Sequence, residues 1–233
     1  MLLDLWSRVT STQPPLPWQA AALLGVLTWV LTWIPAGYHV VRHLVTLVHE
    51  AGHAIVAAAV GRQLTGIRLH SDSSGVTVSR GRPRGPGMIA TVLAGYPAPA
   101  LVGLAGAFVL RTGYAVALLW GLVVTCALML LLIRNLYGLW TIAVTGVSVA
   151  ALSWSAPPHV VSGAAYAVVW VLLLAAPRSV VESQRERSRG VRSGDADQLA
   201  RLTHLPAAFW IGVFWLVCVA ALLLGARELL AVP

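Results

Sequence analysis

The chain carries too little charge for a soluble protein of its size: Asp, Glu, Lys and Arg make up 10% of its 233 residues, against 58% hydrophobic ones. With a mean hydropathy of +0.79, this excludes an ordinary water-soluble domain and points to an all-α polytopic membrane protein. Cysteine is nearly absent. Cys126 and Cys218 both fall in apolar runs with no C-x-x-C spacing, which excludes a disulfide framework or a cysteine zinc knuckle and leaves two small buried hydrophobes. There is no internal repeat and no polar stretch long enough for a second domain, so residues 1–233 read as a single integral membrane domain. The formal charge of +8 comes without aromatic–basic interleaving or any nucleic-acid motif, so nucleic acid is not an expected partner.

Seven apolar segments approach the roughly 20 residues needed to cross the hydrocarbon core: Trp18–Pro35, Tyr38–Val60, Gly87–Leu110, Tyr114–Ile133, Leu136–Leu152, Val160–Ala176 and Ala207–Ala226. The arginines alternate between connections. Arg62, Arg68, Arg80, Arg82 and Arg84 lie in one loop, Arg134 in the next but one, and six arginines from Arg178 to Arg201 in the next but one again. The positive-inside rule makes these loops cytoplasmic, and seven crossings then put the N-terminus in the cytoplasm and the C-terminus outside. The expected location is a bacterial cytoplasmic membrane. The run Arg80-Gly81-Arg82-Pro83-Arg84 also suits contact with anionic lipid headgroups. The first apolar segment follows a proline-rich start and lacks a small-x-small cleavage site, so it reads as an uncleaved span.

The second segment holds His49-Glu50-Ala51-Gly52-His53, an H-E-x-x-H motif. Four residues apart on a helix, the two histidines share one face and can bind one zinc ion, while Glu50 sits too far round to ligate well and suits a general base toward water. Glu50 is about 15 Å from the Val60 end of the segment and about 18 Å from the Tyr38 end at 1.5 Å per residue. Ionisable groups at such depth are costly and usually functional. The alternative is a buried polar network that only joins helices. His39 and His43 are also four apart, but their face is turned by about 80° from the first pair. They suit helix–helix hydrogen bonding or, less directly, a second metal site. His70, His159 and His204 fall at surface or interfacial positions.

After the motif, Gln63–Ser79 alternates apolar and polar residues around Ser71-Asp72-Ser73-Ser74-Gly75, which predicts a cytoplasmic β-hairpin. Its edge could pair with an extended peptide, or it could be a plain connector. In the third segment, Ala94-Gly95-Tyr96-Pro97-Ala98-Pro99-Ala100 should break the helix, either to line a cavity or as a packing kink. Gly95 there permits close approach and Tyr96 offers a hydroxyl. From Arg178 to Pro206 the chain is polar, and Ser193-Gly194-Asp195-Ala196-Asp197-Gln198 predicts a capped amphipathic helix leading into the last span.

Taken together, the His-Glu-Ala-Gly-His helix, the hairpin, the Gly95–Ala100 segment, Arg134-Asn135-Leu136-Tyr137-Gly138 and Asp195-Ala196 followed by Leu199-Ala200 make the chain resemble the M50, or site-2 protease, class of intramembrane zinc metalloproteases, and more narrowly the M50B-like peptidase group. The resemblance implies His49 and His53 as zinc ligands, Glu50 as base, and an aspartate from a later helix as third ligand. Better-known site-2 proteases carry that aspartate in an Asn-Leu-x-Pro…Leu-Asp-Gly run. Here Asn135-Leu136 resembles its start, but no aspartate occurs between Asp72 and Asp195. Asp195 is therefore the candidate third ligand and Asp197 the second choice, with Asp195 or Ser193 as an ordinary helix N-cap beside Gln198 the competing reading. On a straight helix ending at Pro206, Asp195 would lie about 16 Å outside the membrane, so either the segment folds back or the membrane boundary lies elsewhere. Asn135 and Tyr96 are the candidate substrate-binding residues.

The expected function is a zinc-dependent endopeptidase cutting a membrane protein or peptide in or near a transmembrane segment. The alternative is a catalytically silent M50-like scaffold that binds a partner protein. A zinc transporter fits less well, because the other spans offer few ionisable residues for a path.

Overall fold

The computed structural model describes residues 2–231. Helix α1 (Leu2–Thr10) is followed by α2 (Trp18–Trp33) and α3 (Pro35–Ala59), then the strands β1 (Gln63–Leu69) and β2 (Gly75–Arg80). Seven more helices follow: α4 (Pro86–Leu93), α5 (Pro97–Arg111), α6 (Ala115–Leu132), α7 (Leu136–Ser155), α8 (Pro158–Ser188), α9 (Asp195–Thr203) and α10 (Ala207–Leu230). The chain is a membrane protein. Four of its helices, α6, α7, α8 and α10, are long and apolar enough to cross a bilayer on their own, and two bent pairs raise the number to six if each pair is one span.

Those bends correct the count of seven. Proline both lacks an N–H and forces the residue before it out of the helical region; Ile34, before Pro35, is extended at φ −74° and ψ 128°. Helices α2 and α3 consequently meet at 104°, and the two stretches read as separate crossings are long and apolar enough for one only when taken together as a bent pair. The expected break before Pro97 is present too, at 62° between α4 and α5.

Contacts at the helix ends fix two ends of the bundle. At one, Ile133 bridges to Ile67 of β1 and the Arg134 amide donates to the Ile67 carbonyl at 2.9 Å. At the other, the Gln13 amide donates to Gly113 O at 2.8 Å, Arg8 donates to Trp154 O at 2.9 Å, and Arg111 pairs with Glu228. The N-terminal segment, expected on the arginine-rich side, thus packs opposite the hairpin and shares that end with the C-terminal turns of α10.

The core lies where α5, α8 and α10 meet. Small residues on α5 let the helices approach closely: a Cβ added at Gly106 would fall 2.7 Å from Val169, and one at Gly103 would fall 3.0 Å from Leu173. A second cluster, including Leu47, Ile67, Met129 and Ile142, joins α3 to β1, α6 and α7. The hairpin pairs antiparallel as expected, with a bulge between Leu64 and Gly66. Its turn is closed by Asp72 Oδ1, which accepts from the Ser74 amide at 2.9 Å and hydroxyl at 2.7 Å. These bonds hold the Asp72 carboxyl below the usual carboxylate range.

Candidate metal centre

On α3, residues 49, 50 and 53 sit where α4, β2 and α9 close over the helix. His53 Nδ1 lies 2.7 Å from the Thr91 carbonyl. A carbonyl only accepts, so Nδ1 carries the proton and Nε2 keeps a free lone pair. That Nε2 is 3.1 Å from His49 Nε2, and Asp195 Oδ2 is 3.3 Å from each of them.

These three atoms form a nearly equilateral triangle. Donors of a tetrahedral zinc ion with bonds of about 2.0–2.1 Å stand roughly 3.3 Å apart, so the donor set fits zinc in spacing as well as in ligand type. Asp195 Oδ2 is also buried without a hydrogen-bond partner, which makes it an acceptor that a cation would satisfy. Among the described residues this is the one group of three or more His, Cys, Asp or Glu side chains able to share an ion.

Asp195 reaches the triangle because its segment folds back. Helix α9 ends in a left-handed residue, His204 at φ 61°, and α10 starts after Pro206, so α9 doubles over α4. The N-cap is Gly194 and no side chain caps the helix, which leaves the Asp195 carboxylate free to turn inward. Asp197 turns elsewhere, its Oδ1 accepting from Arg187 Nε at 2.9 Å.

Glu50 is 3% exposed, and its Oε2 accepts from the Thr77 hydroxyl on β2 at 2.6 Å. The strand comes this close because residue 75 is glycine: a Cβ there would lie 2.6 Å from Glu50 Oε1. Gly95, in the α4–α5 break, plays the same part for the histidines, where a Cβ would lie 2.5 Å from His53 Nε2 and 2.6 Å from His49 Cε1. Tyr96 sets its ring edge-on to His49, centroids 4.9 Å apart, and stacks on Phe214. A cavity of about 610 Å³ joins these groups, walled by β2, by α4 and by the polar turns of α8 and α9.

Of the candidate residues, His49, Glu50, His53, Tyr96 and Asp195 all line this cavity. Asn135 binds the end of β1 instead: its Nδ2 donates to Leu69 O at 2.6 Å and its Oδ1 accepts from the Leu69 amide at 3.2 Å. His39 and His43 are hydrogen-bonding groups, His43 Nε2 lying 2.7 Å from the Tyr137 hydroxyl and His39 Nδ1 lying 3.3 Å from Ser73 Oγ. Thr77, Thr91 and Gly75 escaped sequence reasoning. Each acts through a contact across the fold, and no local pattern announces it.

A family model described as Peptidase M50B-like matches residues 21–225. The match takes in both breaks, the hairpin and all three converging side chains, and the chain belongs to this M50, site-2-protease-like family. No curated protein and no solved structure matches it.

Proposed function

We propose that the protein is a membrane-embedded zinc endopeptidase that hydrolyses a peptide bond in or near a transmembrane segment. The observation that carries this reading is the convergence of His49 Nε2, His53 Nε2 and Asp195 Oδ2 within 3.1–3.3 Å, with a buried carboxylate one residue from the first ligand. His49, His53 and Asp195 would hold the ion. Zinc, when bound, polarises a carbonyl and acidifies water toward neutral pH.

The remaining roles belong to the chain. Glu50 takes the proton from the attacking water and returns it to the leaving amine, and the Thr77 hydroxyl holds its carboxylate in position. Among the described residues strand β2 has a ladder partner on one side only, β1, and it lines the cavity from Gly75 to Ser79. Its free edge suits an unwound substrate strand, which backbone pairing recognises without demanding a sequence. Water enters through the polar mouth between β2 and α9. The arginine-rich end of the bundle, by the positive-inside rule, faces the cytoplasm of a bacterial cell.

Zinc content tests the reading directly, in detergent-purified protein after mild chelation. About one zinc per chain is expected in wild type, with loss in His49→Ala and Asp195→Ala. Glu50→Gln should keep the metal and lose cleavage of a transmembrane reporter by about 10²-fold or more. Wild type that takes up no zinc when it is supplied would leave a silent, partner-binding scaffold as the function.

A further inference from the structure

Helix α8 continues for eleven residues beyond Pro177, and this extension borders a second cavity, of about 390 Å³, shared with α2 and α10. Arg178, Arg185 and Arg189 line it. None of the three guanidiniums has a carboxylate, carbonyl or hydroxyl partner among the described residues, and Arg178 Nη1 is buried without one. Arg178 instead lies 3.7 Å from the centre of the Tyr38 ring and 5.3 Å from that of Trp33, contacts that attract a cation but accept no conventional hydrogen bond.

The acids in the same wall are engaged on the α3 side. Glu182 accepts from the Tyr38 hydroxyl at 2.8 Å and pairs with Arg42 at 3.4 Å, and Arg42 also approaches Glu186 at 3.9 Å. The cavity therefore keeps an excess of positive charge. Its other wall is apolar and opens toward lipid: Trp29, Trp33 and Trp215 are each about half exposed, at 52%, 59% and 47%. Arg178 follows the last apolar residues of its span by two positions, which sets it at headgroup level, where tryptophans also collect.

Three unpaired guanidiniums beside a tryptophan wall at the membrane boundary select a ligand that is both anionic and amphiphilic. We propose that this cavity binds the phosphate of an anionic glycerophospholipid. Arg178 donates to the phosphate from inside, Arg185 and Arg189 from the rim, and the acyl chains lie along Trp29, Trp215 and Leu222. A zwitterionic lipid would bring its own ammonium against the arginines, and inorganic phosphate would leave the apolar wall uncovered.

Native mass spectrometry of the full chain in mild detergent, with phosphatidylglycerol or phosphatidylcholine added, tests this. One phosphatidylglycerol per chain should be retained in preference to phosphatidylcholine. Arg178→Gln should cut retention about tenfold by removing a desolvated charged donor, and Arg178→Lys should restore part of it. Arg185→Gln with Arg189→Gln, on exposed turns that the fold does not need, should cut it about fivefold per residue, while Arg227→Gln in the last turn of α10, at the other end of the bundle, should change nothing. Equal retention of the two lipids, an equal loss in Arg227→Gln, or displacement of the lipid by millimolar inorganic phosphate would each overturn the proposal.

Discussion

Glu50 and Asp195 are both buried carboxylates, and their neighbours separate their roles. Asp195 faces two imidazole nitrogens, whereas Glu50 faces a hydroxyl that orients it without neutralising it. If Thr77 positions the base, Thr77→Val should lower turnover about tenfold and leave zinc content untouched, and Thr77→Ser should restore the rate. A loss of zinc in the valine variant would make Thr77 a structural prop instead. Gly95 makes the opposite prediction. A methyl group 2.5 Å from His53 Nε2 cannot be accommodated without turning the ring, and Thr91 O anchors that ring on its other nitrogen. Gly95→Ala should therefore weaken zinc binding by about tenfold or more, read as a shift in the chelator concentration that strips the metal. Unchanged zinc affinity in this variant would mean that the break yields more easily than its packing implies.

At the scale of elements, α9 decides whether the third donor arrives. It is nine residues long, too short to be stable alone, and is held by packing on α4 and α10 and by the Arg187–Asp197 pair at 2.9 Å. Arg187→Gln would strand a largely buried carboxylate, costing about 1–3 kcal/mol, and should lower both the melting temperature and the zinc affinity. Adding Asp197→Asn should recover part of each. If Arg187→Gln leaves both the melting temperature and the zinc affinity unchanged, the pair does not hold the helix. Much at this scale was legible in the sequence. Alternation around Ser71–Gly75 marked the hairpin, Pro97 marked the α4–α5 break, and the distance from Asp195 to Pro206 left a fold-back or a shifted membrane boundary as the choices. Long-range pairing was not legible: Asn135 resembles a substrate-holding residue by its place in the chain, yet its amide groups are taken up by Leu69 across 66 residues. Hydropathy also carries no direction, so the apolar run through Ile34 reads as two crossings although Pro35 turns it by 104°.

For the whole molecule, that one turn changes the topology. If α2 and α3 count as one broken span, and α4 with α5 as another, the chain crosses six times and both of its ends share a face. Packing supports this: Gln13 and Glu228 both bond near the α5–α6 turn, at Gly113 and Arg111, whereas the hairpin, Arg134 and α9 gather at the other end. The arginines divide the same way, with Arg8, Arg111 and Arg227 at the first end and the remaining loop arginines at the second. With Cys126 and Cys218, both buried, replaced by alanine, single cysteines at Ser11, Ala231 and Arg82 report the sides. A membrane-impermeant maleimide added to intact cells should label Ser11→Cys and Ala231→Cys at once and Arg82→Cys only after permeabilisation. Labelling of Ser11→Cys and Ala231→Cys from opposite sides would restore α3 as a full crossing and put the His–Glu helix near the bilayer midplane. Labelling from one side keeps α3 turned away from α2 near the arginine-rich boundary, where water reaches Glu50 over a short path.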